Sequence, residues 1–235
     1  ALALGFATKE TSATAPLVVL LCDALFLTDG PRSALRLRRG FYGGMALVTL
    51  VLGLVFVAPP LLGKDETMGL GLRSFGPLEY ARTQPGVVLH YLKLAFWPHP
   101  LCFDYGWPIA KSPSEYVPQT AGIAVLLGAT LVLLLRRSCI RFAGACFFVL
   151  LAPTSSFVPI RDPAFEHRMY LPLAAVLVLA ASAGWWLVAR IPRAGNSLLP
   201  ALASAAALAC VALTVRRNQD YGSTVRIWQE TVALA

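Results

Sequence analysis

Three groups of ionisable residues in this sequence have the types and spacings that chemistry needs. The densest is SSFVPIRDPAFEHRMYLPLA, residues 155–174, in which Arg161, Asp162, Glu166, His167, Arg168 and Tyr170 crowd a short turn between apolar runs. Arg168 offers a planar fork of donors that matches the oxygens of a phosphate, Glu166 can hold that fork in place, and Tyr170 adds a hydroxyl at the start of the following helix. The alternative is an ionic turn that pairs with itself and only stiffens the loop. The second group is His90, Lys93, His99 and Asp104. His90 and Lys93 are three residues apart, so a helix carries them on one face and sets a proton-transfer group beside a cation. Such a face suits an anionic lipid headgroup, or is simply the solvated side of an amphipathic helix. The third group is the pair Lys9 and Glu10 in FATKETSATAPLVVLL. It belongs to a site with the other two, or marks the polar end of a helix that Thr8 or Thr11 caps.

Other chemistries lack a signal. The histidines His90, His99 and His167 fall on one expected side together with Asp65, Asp104 and Glu166, but no H-x-x-x-H or comparable spacing joins them, so neither a metal site nor a cofactor is expected. There is no Walker motif, no G-x-G-x-x-G and no G-x-S-x-G. The five cysteines (Cys22, Cys102, Cys139, Cys146, Cys210) form no C-x-x-C pair and read as small buried hydrophobes. Asp23, near the end of an apolar run, is expected to pair with a nearby arginine rather than to relay protons.

Membrane helices must hold these groups. The chain is 57% hydrophobic and 14% charged, whereas soluble chains are about a quarter charged. The expected fold class is an all-α membrane protein, a polytopic bundle of about six transmembrane helices near 11–28, 41–62, 119–135, 142–160, 170–189 and 197–215. The formal charge of +8 would suggest nucleic acid in a soluble chain. Here nine arginines (Arg32, Arg36, Arg38, Arg39, Arg136, Arg137, Arg141, Arg190, Arg193) lie in three short loops, which the positive-inside rule assigns to the cytoplasm, and no nucleic-acid partner is expected. The remaining connections face out, including the long loop 63–118 and the C-terminal tail. Within that loop, PGVVLHYLKLAFWPHP holds an apolar run from Val87 to Trp97 bounded by Pro85 and Pro98, too short to span, and reads as a re-entrant or interfacial helix on the outer side. Arg216 and Arg217, at the outer end of the last helix, are the one local break in the charge pattern.

The segments KETSATAPLVVLLCDALF, YLKLAFWPHPLCFDYGWP, SSFVPIRDPAFEHRMYLPLA and RNQDYGSTVRIWQETVALA occur in this order. Together they resemble the GT-C superfamily of polyprenyl-phosphate-sugar glycosyltransferases, in particular bacterial relatives of the transmembrane-and-TPR-repeat O-mannosyltransferases. The resemblance implies a transferase that takes a sugar, mannose by the family's habit, from a polyprenyl-phosphate donor on the outer side of the membrane and passes it to the hydroxyl of an acceptor protein. On this likeness Lys9 and Glu10 match the family's Lys-Glu pair, and Glu166, Arg168 and Tyr170 match its later E-R-x-x-Y motif, with His167 inserted. His90 and Lys93 join the same donor-binding set, with Arg168 and Lys9 on the lipid phosphate. The family's acidic catalytic residue is expected upstream of Ala1, so the chain reads as the C-terminal half of the membrane module over 1–217. Residues 218–235 then begin a TPR region that binds protein partners. The implied location is multi-pass in the bacterial inner membrane, with loop 63–118 and the C-terminus periplasmic. A membrane anchor for a TPR scaffold, and a lipid-linked saccharide ligase or flippase, are the competing readings.

Overall fold

The computed structural model describes residues 1–62, 69, 70, 72, 74–136, 140–190 and 195–234; Lys64, Asp65, Arg73, Arg137, Cys139 and Arg193 lie outside the described residues. Those residues form helices and connecting turns, with no β-strand among them. The N-terminal part holds α1 (Leu2–Thr8), α2 (Ala15–Cys22), α3 (Pro31–Leu37), α4 (Arg39–Leu52) and α5 (Ala58–Leu62). Two π turns interrupt the series, Asp23–Leu27 after α2 and Gly53–Val57 between α4 and α5. After the first, the Thr28 N–H closes on the Asp23 carbonyl at 2.9 Å. Gly30 then takes φ 121°, a conformation that only glycine adopts without strain, and Pro31 starts α3, so that the chain turns through 102°.

That turn is fixed by a buried acid. Asp23 is 2% exposed. It accepts a hydrogen bond from the Tyr42 hydroxyl at 2.7 Å and forms an ion pair with Arg38. Beside it, Arg141 Nη2 donates to the Leu25 carbonyl at 2.8 Å. The expected pairing of Asp23 with a loop arginine therefore forms, and it joins the ends of α2, α3 and α4 to the start of α8 (Arg141–Leu151).

The second part comprises α6 (Pro77–Phe96), α7 (Pro113–Leu135), α8, α9 (Tyr170–Val188), α10 (Gly195–Tyr221) and α11 (Thr224–Leu234). Its core is formed by Val87, Val88 and Tyr91 of α6, Cys146, Phe147 and Leu151 of α8, and Ala175 and Val176 of α9. Most other apolar side chains point outward, as expected where lipid rather than water is the solvent.

Three helices are long and apolar enough to cross a membrane: Pro113–Leu135, Glu166–Val188 and Pro200–Tyr221. A fourth is reached if the bent pair Thr11–Leu27 and Pro31–Leu37 counts as one span. The chain is thus an all-helical membrane protein by composition and length. Two of the expected six spans come out differently. The span near 142–160 stops at Leu151, because Pro153 disfavours helix in the residue before it and supplies no N–H. Its 11 residues extend about 16 Å, against a hydrocarbon core of roughly 30 Å. Near 41–62 the helix runs on from α4 through the π turn Gly53–Val57 into α5, and its apolar stretch Arg39–Val55 is shorter than a full crossing.

Helix α6 departs in the other direction. Pro85 does not bound it but sits inside a helix of 20 residues that begins at Pro77. The Gly76 N–H donates to Glu79 Oε2 at 2.9 Å, which caps the start. An internal proline costs about 3 kcal/mol. Burial of Tyr80, Val87, Val88 and Tyr91 on the same helix offsets that cost.

Candidate functional site

After α6 the chain doubles back along it. Trp107 lies 3.9 Å from the position a Cβ on Gly86 would take. Farther on, the Ala110 N–H donates to Thr83 Oγ1 at 3.0 Å. Because 105–110 advances while its partners on α6 recede from His90 to Thr83, the return segment is antiparallel to the helix and the two form a hairpin. Gly106 at φ 48° redirects the return segment near its start, with its N–H on Asp104 Oδ1 at 3.0 Å. Glu166 meets the hairpin at Cys102, and Phe103 packs edge-on against Tyr221 and Trp228. The starts of α6, α7 and α9 and the end of α8 therefore lie at one end of the bundle. The Asp23–Arg38–Arg141 cluster occupies the other, since α8 runs from Arg141 toward Thr154, whose carbonyl accepts from Tyr80 of α6.

One face of α6 fixes the turn that precedes α9. Tyr80, Gln84, Val87 and Tyr91 follow helical spacing and face residues 154–168. The Tyr80 hydroxyl donates to the Thr154 carbonyl at 2.5 Å, Gln84 Nε2 to the Pro163 carbonyl at 3.3 Å, and the Phe165 N–H to the Tyr91 hydroxyl at 2.7 Å. Arg168, 8% exposed, closes the set from beneath. Its Nη1 donates to the Pro163 carbonyl at 2.8 Å and to the Tyr80 hydroxyl at 3.3 Å, and its Nη2 to the Asp162 carbonyl at 2.7 Å. Burial pushes the Tyr80 phenol up to about 12 and raises Tyr91 as well, while the Arg168 charge pulls both the other way.

The neighbouring face carries His90. Its imidazole packs edge-on against Tyr105 with ring centres 5.0 Å apart, and is tilted against Trp107 at the same separation. Its Nε2 is buried with no hydrogen-bond partner among the described residues. Burial lowers the His90 pKa, and the charge of Lys93 lowers it further, so the ring is neutral at physiological pH. Tyr105 links this aromatic wall to Glu166, whose Oε1 accepts from the Tyr105 hydroxyl at 2.7 Å and from the Cys102 N–H at 2.8 Å. The Tyr105 phenol is raised by burial and by that carboxylate. Lys93, one helical turn beyond His90, is exposed. An apolar groove of about 600 Å³ opens along α6 at Leu92 and Phe96 and is walled by Leu126, Phe147, Val176 and Leu179.

The structure thus gathers His90, Lys93, Glu166 and Arg168 around the hairpin. Within that set the expected pairing of Glu166 with Arg168 is replaced. Glu166 holds the hairpin, whereas Arg168 is spent on backbone carbonyls of its own turn, because a buried guanidinium must satisfy its donors with whatever acceptors enclose it. Tyr170 is 81% exposed and faces away at the start of α9. Lys9 is exposed just before the turn that leads into α2, at the hairpin end of that helix. Glu10 opens that turn, and its side chain lies outside what is described. His99 lines a separate cleft.

Sequence reasoning left Tyr80 and Gln84 unassigned, and took Tyr91, Tyr105 and Trp107 only as aromatics suited to the headgroup level. The spacing of the first three was a signal, masked by treating Pro85 as a boundary. Among the described residues no three His, Cys, Asp or Glu side chains converge as a metal site would require. Comparison of the chain with protein-family models, with characterised proteins and with solved structures returns no match.

Proposed function

We propose that this chain is part of a membrane glycosyltransferase of the GT-C type, moving a sugar, mannose by the sequence likeness, from a polyprenyl-phosphate donor to a protein hydroxyl. The observation that carries the reading is a buried His90 packed against Tyr105 and Trp107, with Tyr105 joined to Glu166, on a helix that also carries the exposed Lys93 and, through Leu92 and Phe96, one wall of an apolar groove. The groove suits an isoprenoid chain, and Lys93, exposed on the same helix as Leu92 and Phe96, is the cation offered to its phosphate. Negative charge accumulates on that phosphate as the sugar departs, so a cation fixed there lowers the barrier. Trp107 and Tyr105 offer apolar ring faces to the C–H edges of a pyranose. Neutral His90 is able to accept a proton at this pH. Arg168 acts as a positioning residue, holding the turn that aims Glu166 at the hairpin. The α6 hairpin serves as the re-entrant element on the outer side, and the arginine-rich end faces the cytoplasm of a bacterial inner membrane.

The test is transfer of labelled hexose from polyprenyl-phosphate donors to protein acceptors by the full-length protein. Lys93→Ala is expected to lower turnover about 100-fold, the effect of removing one preorganised charge-stabilising group. Absence of transfer from every such donor would refute the reading. One observation favours the competing scaffold reading: Trp228 of α11 packs on Phe103, so the hairpin also seats the C-terminal helix. Normal partner binding by Lys93→Ala, together with no measurable sugar transfer by the wild-type protein, is the outcome that reading expects.

A further inference from the structure

Arg216 and Arg217 follow the apolar run that ends at Val215, on the side of the bundle where the charge pattern of the loops disfavours adjacent arginines. The tertiary structure supplies a reason. Both line a cleft of about 470 Å³ between the hairpin and the C-terminal helices, bounded by Pro98, His99, Pro100 and Leu101 on one side and by Asp220 and Ala233 on the other. Asp220, almost fully buried, is the one described acid on its wall and is shared between Arg217 at 3.7 Å and Arg226 at 2.8 Å. Arg216 is exposed, with no partner among the described residues. Arg216 therefore presents its guanidinium at the rim of the cleft, while Arg217 and Arg226 are engaged with Asp220. The apolar part of the lining, Pro98, Pro100, Leu101, Leu213 and Ala233, has no use for a small hydrated ion but matches the glycerol and first acyl carbons of a lipid.

We infer that this cleft seats the phosphate of an anionic membrane phospholipid, a second phosphate site distinct from the His90–Glu166 hairpin face and independent of sugar transfer. Position selects the lipid as source: Pro200–Tyr221 of α10 is long and apolar enough to cross a membrane, and Arg216 and Arg217 lie in its last turns, which a crossing helix brings toward the headgroups. Arginine forks bind phosphate through paired N–H donors. Because Ala233 of α11 closes the cleft, the bound lipid also fixes α11 against the hairpin.

The test is photo-crosslinking of the whole chain in phosphatidylcholine vesicles carrying a trace of phosphatidylglycerol with a photoreactive group near its head, with adducts mapped by peptide mass spectrometry. Adducts are expected within residues 98–101 and 213–220. Arg216→Ala is expected to lower their yield about fivefold, from about 1 kcal/mol per surface arginine. Arg216→Lys should keep most of it. Since Arg216 is exposed, its truncation leaves the fold intact, and far-UV circular dichroism verifies that. Equal labelling by a photoreactive diacylglycerol that lacks the phosphate would overturn the inference, as would an unchanged yield in Arg216→Ala. Loss of labelling on addition of excess inorganic phosphate would make this a free-anion site and overturn the lipid assignment.

Discussion

Arg168→Met separates a structural role for this arginine from direct contact with substrate. The guanidinium is buried and donates to the Asp162 and Pro163 carbonyls and to the Tyr80 hydroxyl. Methionine keeps much of the apolar volume but leaves those acceptors without donors. An unsatisfied buried acceptor costs about 1–3 kcal/mol. With two strongly bonded carbonyls, the loss is about 3 kcal/mol, a factor of about 100 in the population of the open turn. Glu166 then loses its aim on Cys102 and Tyr105, so the hairpin loosens together with the turn. The assay is thermal unfolding of the detergent-solubilised protein, followed by tryptophan fluorescence, with Arg168→Lys alongside. Lysine restores a charge but not the fork, so it should recover only part of the loss. If Arg168→Met unfolds at the wild-type temperature while abolishing sugar transfer, the guanidinium contacts substrate and the reasoning fails.

His90 carries a pH signature. Its folded pKa lies below the ordinary value of 6.5, so the unfolded chain binds the extra proton first. Stability is full above that ordinary value and declines as pH falls from it toward the folded pKa. His90→Gln should flatten this part of the midpoint-versus-pH curve, and superimposable curves for the two proteins would exclude His90 as its source. Asp23→Ala should lower the unfolding temperature by freeing Arg38 and the Tyr42 hydroxyl at the arginine-rich end. The double variant with Tyr42→Phe should lose less than the sum of the single losses; strict additivity would mean that the pair is uncoupled. Sidedness is tested with single cysteines at exposed positions, Arg36→Cys at one end and Ser114→Cys at the other. An impermeant thiol reagent should reach them from opposite faces, and labelling of both from one face would sink the bundle polarity. Native Cys102 is a poor reporter, because it is buried beneath Glu166.

Much of the helical plan was legible along the chain. Stretches such as Pro113–Leu135 and Glu166–Val188 are long and apolar enough to cross a bilayer, where a helix satisfies the backbone within its own segment. Asp23 was likewise readable, because an acid in an apolar run has to find a cation and the arginine loop was near in sequence. Pro85 and Pro153 look alike as residues and acted differently. Pro153 ended α8, because the polar Thr154, Ser155 and Ser156 that follow offer no apolar helical face to outweigh the lost hydrogen bond. Pro85 was absorbed into α6, because Tyr80, Val87, Val88 and Tyr91 gain enough by burial to outweigh one lost hydrogen bond. That comparison is between tertiary energies, and a proline in a sequence does not state it.

The roles of Glu166 and Arg168 divide in the same way. Their types and closeness announced a polar cluster beside the membrane boundary, which composition and charge alone determined. Which of them faces outward is decided by the hairpin, which reaches Glu166 from some sixty residues away and encloses Arg168 among carbonyls. The sequence by itself determined that this chain is a helical membrane protein whose arginines crowd one end. Only the packing of α6, its return segment and α10 decided which cations are consumed in holding the fold and which, like Lys93 and Arg216, remain at the surface. Burial converts a charge from a ligand-binding group into a structural one, and burial is a property of long-range contacts.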